Sequence, residues 1–354
     1  MKNNAKLITN YEEVNLTSDI KLFEDGFRTN GKNGEYEWWY FDSKLNDGSS
    51  LVIIFFINKI TTYGTGFAPY VSFDLKRSDG SYIASNCYPI DNKDYFFSKE
   101  KCDVRIGKSY IKGDLSNYEI HFEENNIVAD VKLKGRIPSW RPYSGMIKHG
   151  KHYFAWLPSV PEGSVKANII INNETLSLSG TGYHDHNWGD TPMFFLMHHW
   201  YWGRAKIGDY VVVSSYITAN KKYGYVETPI FMIARDGKII ADQGDKYLTY
   251  NESDYEFDPV TKKHFAKTLV YDYNDNNTRY VIKYKKNEDI EKKGMKDLAK
   301  GLQYILIKLI GLDGSYHRAG GVVTLEKYVD NELVEKITSQ AIWEQMYFGK
   351  DKLR

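Results

Sequence analysis

The segment Glu37-Trp38-Trp39-Tyr40-Phe41 is echoed in the second half of the chain by His199-Trp200-Tyr201-Trp202. In each copy the aromatic block is followed by a turn that contains glycine and aspartate. An apolar run comes next, over residues 51–57 in the first copy and residues 210–217 in the second. The sequence therefore repeats an aromatic strand, a tight turn and an apolar strand.

The echo continues downstream, where an Asp-Gly pair occurs at Asp79-Gly80 and again at Asp236-Gly237. Matches that recur in the same order favour a repeated architecture over chance, because each repeat forms one structural unit. We therefore predict two domains of related topology, one over residues 1–190 and the other over residues 191–354.

Strand patterns dominate both halves. Apolar side chains alternate with polar ones over residues 118–123 and 127–134, as in a half-buried strand. Pairs such as Asn172-Asn173 and Asp330-Asn331 tolerate the positive φ of hairpin turns. We predict an all-β fold of antiparallel sandwiches or up-and-down barrels. A minor helical excursion is predicted in the second domain, over residues 288–300 and 302–309.

Composition limits the classes of partner. The chain has 354 residues, with 47 Lys and Arg against 46 Asp and Glu, so its net charge of +1 offers no global attraction for nucleic acid or anionic lipid. The longest apolar run is too short to cross a bilayer, so we expect no stable membrane insertion. Two cysteines and a polar first segment favour a reducing, cytoplasmic location. The aromatic share of 15% suits β-sheets and ligand cavities.

The densest group of reactive side chains lies at residues 180–189, just before the second copy begins. In an extended strand Tyr183, Asp185 and Asn187 share one face, and His184 and His186 share the other. Aromatic surroundings desolvate a carboxyl group and raise its pKa, so that the group can act as a general acid near neutral pH. Asp185 is the candidate acid.

Two other interpretations of this segment remain open. The polar cluster could be a buried hydrogen-bonded junction with a purely structural role. Alternatively, His184 and His186, with His198 and His199 nearby, offer imidazoles for a metal, although no recognised metal motif is present.

A second aromatic strand precedes this segment, with His152 and Trp156 on one face. Beside Asp185, His152 could orient a water molecule, and the Trp156 ring could stabilise a developing cation. The candidate catalytic residues are Asp185, Tyr183 and His152. The candidate substrate-binding residues are Trp156, Trp39, Asn187, Trp200 and Trp202, with core packing as the alternative for the aromatic ones.

Several chemistries are disfavoured by missing motifs. The sequence contains no G-x-x-x-x-G-K-[ST] or G-x-G-x-x-G element, so a nucleotide cradle is unsupported. It also has no G-x-S-x-G elbow of a serine hydrolase. We predict no cofactor and no catalytic metal.

The aromatic blocks and the Gly182-Tyr183-His184-Asp185 element together resemble the carotenoid 1,2-hydratase (hydroxyneurosporene synthase) superfamily, which includes lipocalin-like Diels-Alderases. The resemblance covers most of the chain and implies two lipocalin-like domains. It also implies that Tyr183 and Asp185, with His152 and Trp156 on a preceding strand, protonate a C=C bond and guide water.

The leading hypothesis is a cofactor-independent enzyme that hydrates or cyclises a C=C unit of a hydrophobic polyene, isoprenoid or polyketide held between the two domains. One alternative is a Diels-Alderase-like pericyclase that folds a linear polyene into a reactive conformer. Another is a non-catalytic carrier of a hydrophobic ligand. The only partner expected is the small molecule itself.

Overall fold

A computed structural model describes residues 4–58, 66–91, 93–294, 312–351 and 353. The chain divides into two compact units, here called the N-terminal unit (Leu7–Met193) and the C-terminal unit (Phe194–Arg354, with Met1–Lys6). The predicted domain boundary between residues 190 and 191 remains a prediction.

The N-terminal unit is built from antiparallel strands joined by short turns. Of β1 (Ala5–Leu7) only Leu7 belongs to this unit. After two 3₁₀ turns (Tyr11–Val14 and Leu22–Asp25), the strands of the unit are β2 (Tyr36–Leu45), β3 (Ser50–Phe56), β4 (Tyr70–Lys76), β5 (Tyr82–Cys87), β6 (Tyr95–Phe97), β7 (Asp103–Ile106), β8 (Ser109–Gly113), β9 (Asn117–Glu124), β10 (Ile127–Gly135), β11 (Met146–His149), β12 (His152–Ile171) and β13 (Glu174–Gly189). They form one curled sheet in the order β5-β4-β3-β2-β13-β12-β10-β9-β8-β7-β6, with β11 beside β12.

The C-terminal unit repeats this plan. Its elements are α1 (Met193–Leu196), β14 (Met197–Ile207), β15 (Tyr210–Ala219), a 3₁₀ turn (Lys221–Tyr223), β16 (Glu227–Arg235), β17 (Lys238–Ala241), α2 (Gly244–Tyr247), β18 (Leu248–Asp258), β19 (Lys263–Asp275), β20 (Thr278–Lys293), β21 (Ser315–Val329) and β22 (Glu332–Tyr347). The sheet order is β17-β16-β15-β14-β22-β21-β20-β19-β18.

The nine strands of the C-terminal sheet correspond in order to the N-terminal strands from β5 to β8, and β7 and β6 extend the N-terminal sheet further among the described residues. In one unit β13 lies between β2 and β12, and in the other β22 lies between β14 and β21. The repeated aromatic segments, Trp38-Trp39-Tyr40 and Trp200-Tyr201-Trp202, lie on β2 and β14, which are equivalent strands of the two sheets. The prediction of an all-β fold with two domains of related topology is therefore confirmed.

The predicted turns supply the backbone geometry that joins these strands. Asn172 and Asn173 have φ of 49° and 70° between β12 and β13, and Asp330 and Asn331 have 50° and 68° between β21 and β22. Positive φ at both central residues matches the right-handed twist of the paired strands. Asn and Asp tolerate this geometry better than most residues because their side chains bond locally.

Each curled sheet buries one face around its own core. In the N-terminal unit this inner face packs aromatic and aliphatic side chains, among them Trp39, Phe41, Phe73, Tyr118 and Phe122. In the C-terminal unit it is rich in tyrosine, including Tyr201, Tyr271 and Tyr284. The opposite side of each sheet is called the outer face here.

The predicted helical excursion is wrong where the structure describes it. Residues 288–293 belong to β20 and pair with β21 as far as Lys293, opposite Tyr316. Two register irregularities interrupt this pairing, after Lys286 and after Asp289. Irregular pairing weakens the two-residue alternation and lets a charged strand resemble a helix in sequence. Residues 295–300 and 302–309 lie outside the described residues.

Among the described residues, no helix combines the length and the apolar character needed to cross a membrane.

Candidate active site

The candidate acid lies in the middle of the N-terminal sheet. Asp185 is on β13, opposite Tyr40 of β2. On the other side β13 pairs with β12, where Trp156 is opposite Asn187. The β12 pairing shifts register around Pro158 and Pro161. Proline cannot donate to the strand ladder, so these positions locally release β12 from regular pairing.

Three side chains donate hydrogen bonds to the Asp185 carboxyl group. The indole Nε1 of Trp156 and the hydroxyl of Tyr183 both donate to Oδ2, each at 2.7 Å. The amide Nδ2 of Asn187 donates to Oδ1 at 2.7 Å. All three donors are uncharged, so they orient the carboxyl group without supplying a positive charge.

The site is nearly dry. Asp185 is 6% exposed and Tyr183 is fully buried. Trp140, itself buried, packs edge-on against the Trp156 ring with a centroid distance of 6.0 Å. Because β13 is covered on its outer face as well as its inner face, the polar residues at this point are withdrawn from water on both sides.

Burial raises the pKa of Asp185 to about 6, and the hydrogen bonds from Trp156 and Tyr183 offset only part of that rise. A carboxyl group with this pKa is protonated in about half of the molecules at pH 6 and about a tenth at pH 7, so a protonated form is available to act as a general acid. Burial likewise raises the pKa of Tyr183 well above its ordinary value, so the phenol remains a donor.

The inner face of the same strand carries a different kind of cluster. His184 donates from both ring nitrogens, with Nδ1 2.8 Å from the carbonyl oxygen of Tyr40 and Nε2 3.3 Å from Oδ2 of Asp25. The hydroxyl of Tyr118 donates to the same Asp25 oxygen. Asp25 and His184 are both almost completely buried.

This inner pair is charged. Burial opposes ionisation of Asp25, but the attraction and hydrogen bond of His184 outweigh it and lower the pKa of Asp25. Burial likewise opposes the charge on His184, and Asp25 outweighs it and raises the pKa of His184. The pair is therefore a buried ion pair that anchors the 3₁₀ turn at Leu22–Asp25 to β13.

The second inner histidine is held in the same way. His186 Nε2 is 2.7 Å from Oε1 of Glu37, and its ring stacks on Trp39 at 4.6 Å. Glu37 also accepts from Thr29, through both the backbone amide and the hydroxyl. Its contacts with Glu37 and Trp39 indicate that His186 has a structural role.

A metal at this place would have to compete with these bonds. Ligand atoms of Asp25, Cys102 and His184 lie within 4.8 Å of one another. Burial raises the pKa of Cys102 well above its ordinary value and so favours the thiol over the metal-binding thiolate. Both ring nitrogens of His184 already have partners, the carbonyl oxygen of Tyr40 and the carboxyl group of Asp25.

The structure brings together four of the residues predicted from the sequence: Asp185, Tyr183, Asn187 and Trp156. His152 is at the start of β12, where its Nδ1 lies 3.3 Å from Oδ2 of Asp190. It is four residues from Trp156 on the strand, about 13 Å along an extended chain. The hydrogen bonds place His152 with Asp190 instead of Asp185.

The remaining predicted tryptophans lie elsewhere. Trp39 is on the inner face, where its Nε1 donates to the carbonyl oxygen of Asp25 at 2.9 Å. Trp200 and Trp202 are half-buried on β14 of the C-terminal unit. His198 and His199 are also in β14, with their Nδ1 atoms 2.8 Å apart.

Sequence reasoning missed the groups that hold the inner face together. Asp25 and Glu24 lie in a 3₁₀ turn with no motif, 160 and 161 residues before Asp185 by number. Glu24 forms a buried ion pair with Arg141, whose Nε is 2.7 Å from Oε2. The only available signal was the pair of histidines on the inner face, which require acidic or carbonyl partners when buried.

Comparisons with known proteins place the chain in a family. A family profile described as Diels-Alderase-like matches residues 32–338. The chain belongs to this family. The resemblance inferred from the aromatic blocks and the Gly182-Tyr183-His184-Asp185 element is thereby confirmed.

Relatives with partial sequence similarity carry several activity names. A hydroxyneurosporene dehydrogenase from Chlorobaculum tepidum is 26% identical over 232 residues, 54% of this chain and 58% of the relative. A quinolone epoxide rearrangement protein from Emericella nidulans is 28% identical over 195 residues, 50% of this chain and 53% of the relative. An acyclic carotenoid 1,2-hydratase from Rubrivivax gelatinosus is 24% identical over 212 residues, 54% of this chain and 50% of the relative. The chain spans about half the length of these curated relatives.

Solved structures share the fold over nearly the whole chain. The crystal structure of CghA with Sch210972 has a TM-score of 0.62 at 13% identity and covers 92% of this chain and 95% of that one. Kievitone hydratase from Nectria haematococca has a TM-score of 0.55 at 13% identity, covering 94% of this chain and 93% of that one. The lipocalin-like β fold predicted from the sequence is confirmed.

Proposed function

We propose that this protein is a cofactor-independent enzyme that acts on a C=C bond of a hydrophobic small molecule by acid-catalysed hydration or cyclisation. The observation that carries the proposal is the setting of Asp185, a buried carboxyl group that accepts hydrogen bonds only from uncharged donors. This burial raises the pKa of Asp185 to about 6. A carboxyl group in this setting can hold a proton near neutral pH and give it to a weak base such as an alkene.

The proposed chemistry starts with transfer of the Asp185 proton to one alkene carbon, while the π electrons form the new C–H bond. The neighbouring carbon becomes a cation. Water, or another C=C bond of the same molecule, then adds to that cation. Loss of one proton from the adduct to the Asp185 carboxylate closes the cycle, so the enzyme is unchanged.

The surrounding residues have defined roles in this scheme. Trp156 and Tyr183 donate to Oδ2 and stabilise the carboxylate that remains after proton transfer. Asn187 fixes the other oxygen and so sets the plane of the carboxyl group. The indole ring of Trp156 also offers a π face to a cation formed beside the acid.

The names of the relatives agree with acid chemistry on apolar substrates. A carotenoid hydratase adds water to a C=C bond, and a quinolone epoxide rearrangement protein acts on a strained C–O ring, which acid also opens. Both names support a hydrophobic substrate for this chain.

The test is Asp185→Asn, assayed in D₂O on a panel of an acyclic carotenoid, a quinolone epoxide and a linear triene with a separate acceptor alkene. The wild type is expected to convert one of these and to incorporate deuterium on carbon when the substrate is an alkene. Asp185→Asn is expected to lose about 10²- to 10⁴-fold in kcat, the usual range for a lost general acid. Undiminished turnover in this variant would contradict the acid role.

Asp130→Asn is the matched control, because Asp130 bonds His121 at an exposed position of the same sheet. It should keep wild-type turnover. The control separates loss of the acid from a general effect of replacing aspartate.

Membership of the Diels-Alderase-like family favours pericyclic cyclisation as a second candidate function. In that reaction a bound polyene is held in a reactive conformer, and Asp185 polarises an acceptor carbonyl without giving its proton to carbon. A cyclised product of unchanged mass, free of deuterium, would support the pericyclase. Stoichiometric binding of the panel without any product would instead indicate a carrier.

A further inference from the structure

The duplicated fold places a second carboxyl group at the position equivalent to Asp185. Asp185 is opposite Tyr40, the last residue of Trp38-Trp39-Tyr40 on β2. In the C-terminal unit Glu344 of β22 is opposite Trp202, the last residue of Trp200-Tyr201-Trp202 on β14. The equivalence therefore follows from strand order and register.

The partner strand on the other side agrees with this assignment. Trp156 of β12 is opposite the residue two positions after Asp185. Tyr316 of β21 is opposite Met346, two positions after Glu344. Both of these aromatic residues donate a hydrogen bond to the carboxyl group of their own unit.

A tryptophan and a tyrosine lie around each carboxyl group, but only Trp156 and Tyr316 occupy equivalent positions. The Tyr316 hydroxyl donates to Oε2 of Glu344 at 2.8 Å, and Nε1 of Trp200 lies 3.5 Å from Oε1. Glu344, Trp200 and Tyr316 are all half-buried. Half-burial leaves part of this group accessible, in contrast to the 6% exposure of Asp185.

Charged neighbours of Glu344 come from two adjacent strands. Arg318 of β21 is directly opposite Glu344, and Glu291 of β20 is opposite Arg318. Burial raises the pKa of Glu344, while the Tyr316 hydrogen bond and Arg318 offset part of the rise. Glu344 thus resembles Asp185 in its tendency to hold a proton. It differs from Asp185 in having a nearby cation, Arg318.

The inner face shows that this carboxyl group is not retained as part of a copied ion network. Trp343 and Gln345 flank Glu344, where His184 and His186 flank Asp185. The two units therefore differ in these inner residues and share, on the outer face, an acid that accepts a hydrogen bond from an aromatic residue of the neighbouring strand. A carboxyl group with an aromatic donor at the same place in both units, without the inner histidines in one of them, points to a ligand-related role.

We infer that Glu344 is a second ligand-binding acid, which hydrogen-bonds a carbonyl-type oxygen of a hydrophobic molecule while Trp200 and Trp202 contact its apolar part. The inference rests on the proposed function only for the class of ligand. It concerns the C-terminal unit alone and does not require that Asp185 be catalytic.

The experiment uses dicyclohexylcarbodiimide, an apolar reagent that adds to protonated carboxyl groups, on the full chain at pH 6, with adducts located by peptide mass spectrometry. Glu344 should be labelled at least five-fold more than Glu227, which also accepts a tyrosine hydroxyl, from Tyr216 at 2.7 Å, but is exposed. Adding 2-quinolone, a bicyclic molecule with a carbonyl oxygen, should suppress labelling of Glu344 at least five-fold. Naphthalene, of similar shape without the oxygen, should not.

Asp185→Asn should leave the labelling and protection of Glu344 unchanged. Tyr316→Phe, which removes the hydroxyl donor, should increase labelling of Glu344 because it favours the protonated form. Labelling of Glu344 no greater than that of Glu227, absence of protection by 2-quinolone, or equal protection by naphthalene would overturn the inference. Failure of Asp185 to be labelled, with Glu344 behaving as expected, would instead count against the proposed function alone.

Discussion

The two faces of β13 hold two buried carboxyl groups in opposite chemical states. On the inner face Asp25 has a histidine partner, and the pKa values of the two groups move apart so that both are charged. On the outer face Asp185 has only uncharged donors within hydrogen-bonding distance, and its pKa rises to about 6. Both groups are at most 6% exposed, so the extent of burial does not distinguish them.

The difference shows what decides the state of a buried acid. Burial disfavours the charged form of any carboxyl group, and only a compensating positive charge reverses that preference. Neutral donors such as Trp156 and Tyr183 orient the group and moderate the shift without reversing it. One strand can therefore carry a structural ion pair and a protonatable acid on adjacent residues, His184 and Asp185.

The largest effect is expected from breaking the inner pair with Asp25→Asn. This change leaves the His184 charge buried without its partner, so the free energy of unfolding should fall by about 3 to 5 kcal/mol. Urea denaturation at several pH values would measure it. The loss should be greatest between pH 3.8 and 6.5, the ordinary pKa values of the two groups, because only there is the wild-type pair stabilised from both sides.

Asp130→Asn serves as the comparison for this variant, because it removes an aspartate that bonds a histidine at an exposed site. A surface pair of this kind contributes about 1 kcal/mol or less. Equal losses in the two variants would contradict the view that Asp25 and His184 form a buried ion pair.

A smaller effect of opposite sign is expected from Asp185→Asn. A carboxyl group whose pKa is raised on folding stabilises the folded state less as pH rises from 3.8 to about 6, since the unfolded chain releases its proton first. Asparagine does not titrate, so the variant does not lose stability in this way as the pH rises. Its stability relative to the wild type should therefore increase by about 2 to 3 kcal/mol between pH 4 and pH 7, measured by urea denaturation. Parallel stability curves over this range would contradict a raised pKa.

The smallest expected effect is a change in the pKa of Asp185 on the outer face. Trp156→Phe keeps an aromatic ring but removes the Nε1 donor, so the pKa of Asp185 should rise further, on the order of one unit or about 1.4 kcal/mol. Trp140→Phe is the matched control, because the Trp140 Nε1 is buried without a hydrogen-bond partner in the described part of the chain. NMR titration of the Asp185 carboxyl carbon would compare them, and equal shifts in both variants would contradict the role of the Trp156 donor.

The sequence was sufficient for the repeated β architecture because turn pairs and aromatic strands are local signals. Asn172-Asn173 and Asp330-Asn331 adopt the positive φ values that their residue types favour. Charged residues 288–293 were misassigned to a helix, since their irregular pairing with β21 leaves no clean alternation in the sequence. Local patterns therefore gave the strands and failed where pairing is irregular.

For the site, the alternation of β13 was enough to place Tyr183, Asp185 and Asn187 on one face and His184 on the other. The partners of the histidines could not be predicted, because Asp25 comes from a 3₁₀ turn distant in sequence. The association of His152 with Asp190 instead of Asp185 depends on position along β12, which alternation does not give. The equivalence of Glu344 and Asp185 needed the strand register of both units.

The most direct measurement of the central claim is the titration of Asp185 itself. Carbon-13 NMR of protein labelled at the aspartate side-chain carboxyl carbon, assigned with Asp185→Asn, would follow this group from pH 3 to pH 8. The account predicts an apparent pKa of about 6. A pKa below 4 would mean that Asp185 is ionised like an ordinary surface aspartate, and it would contradict the assignment of this residue as the acid.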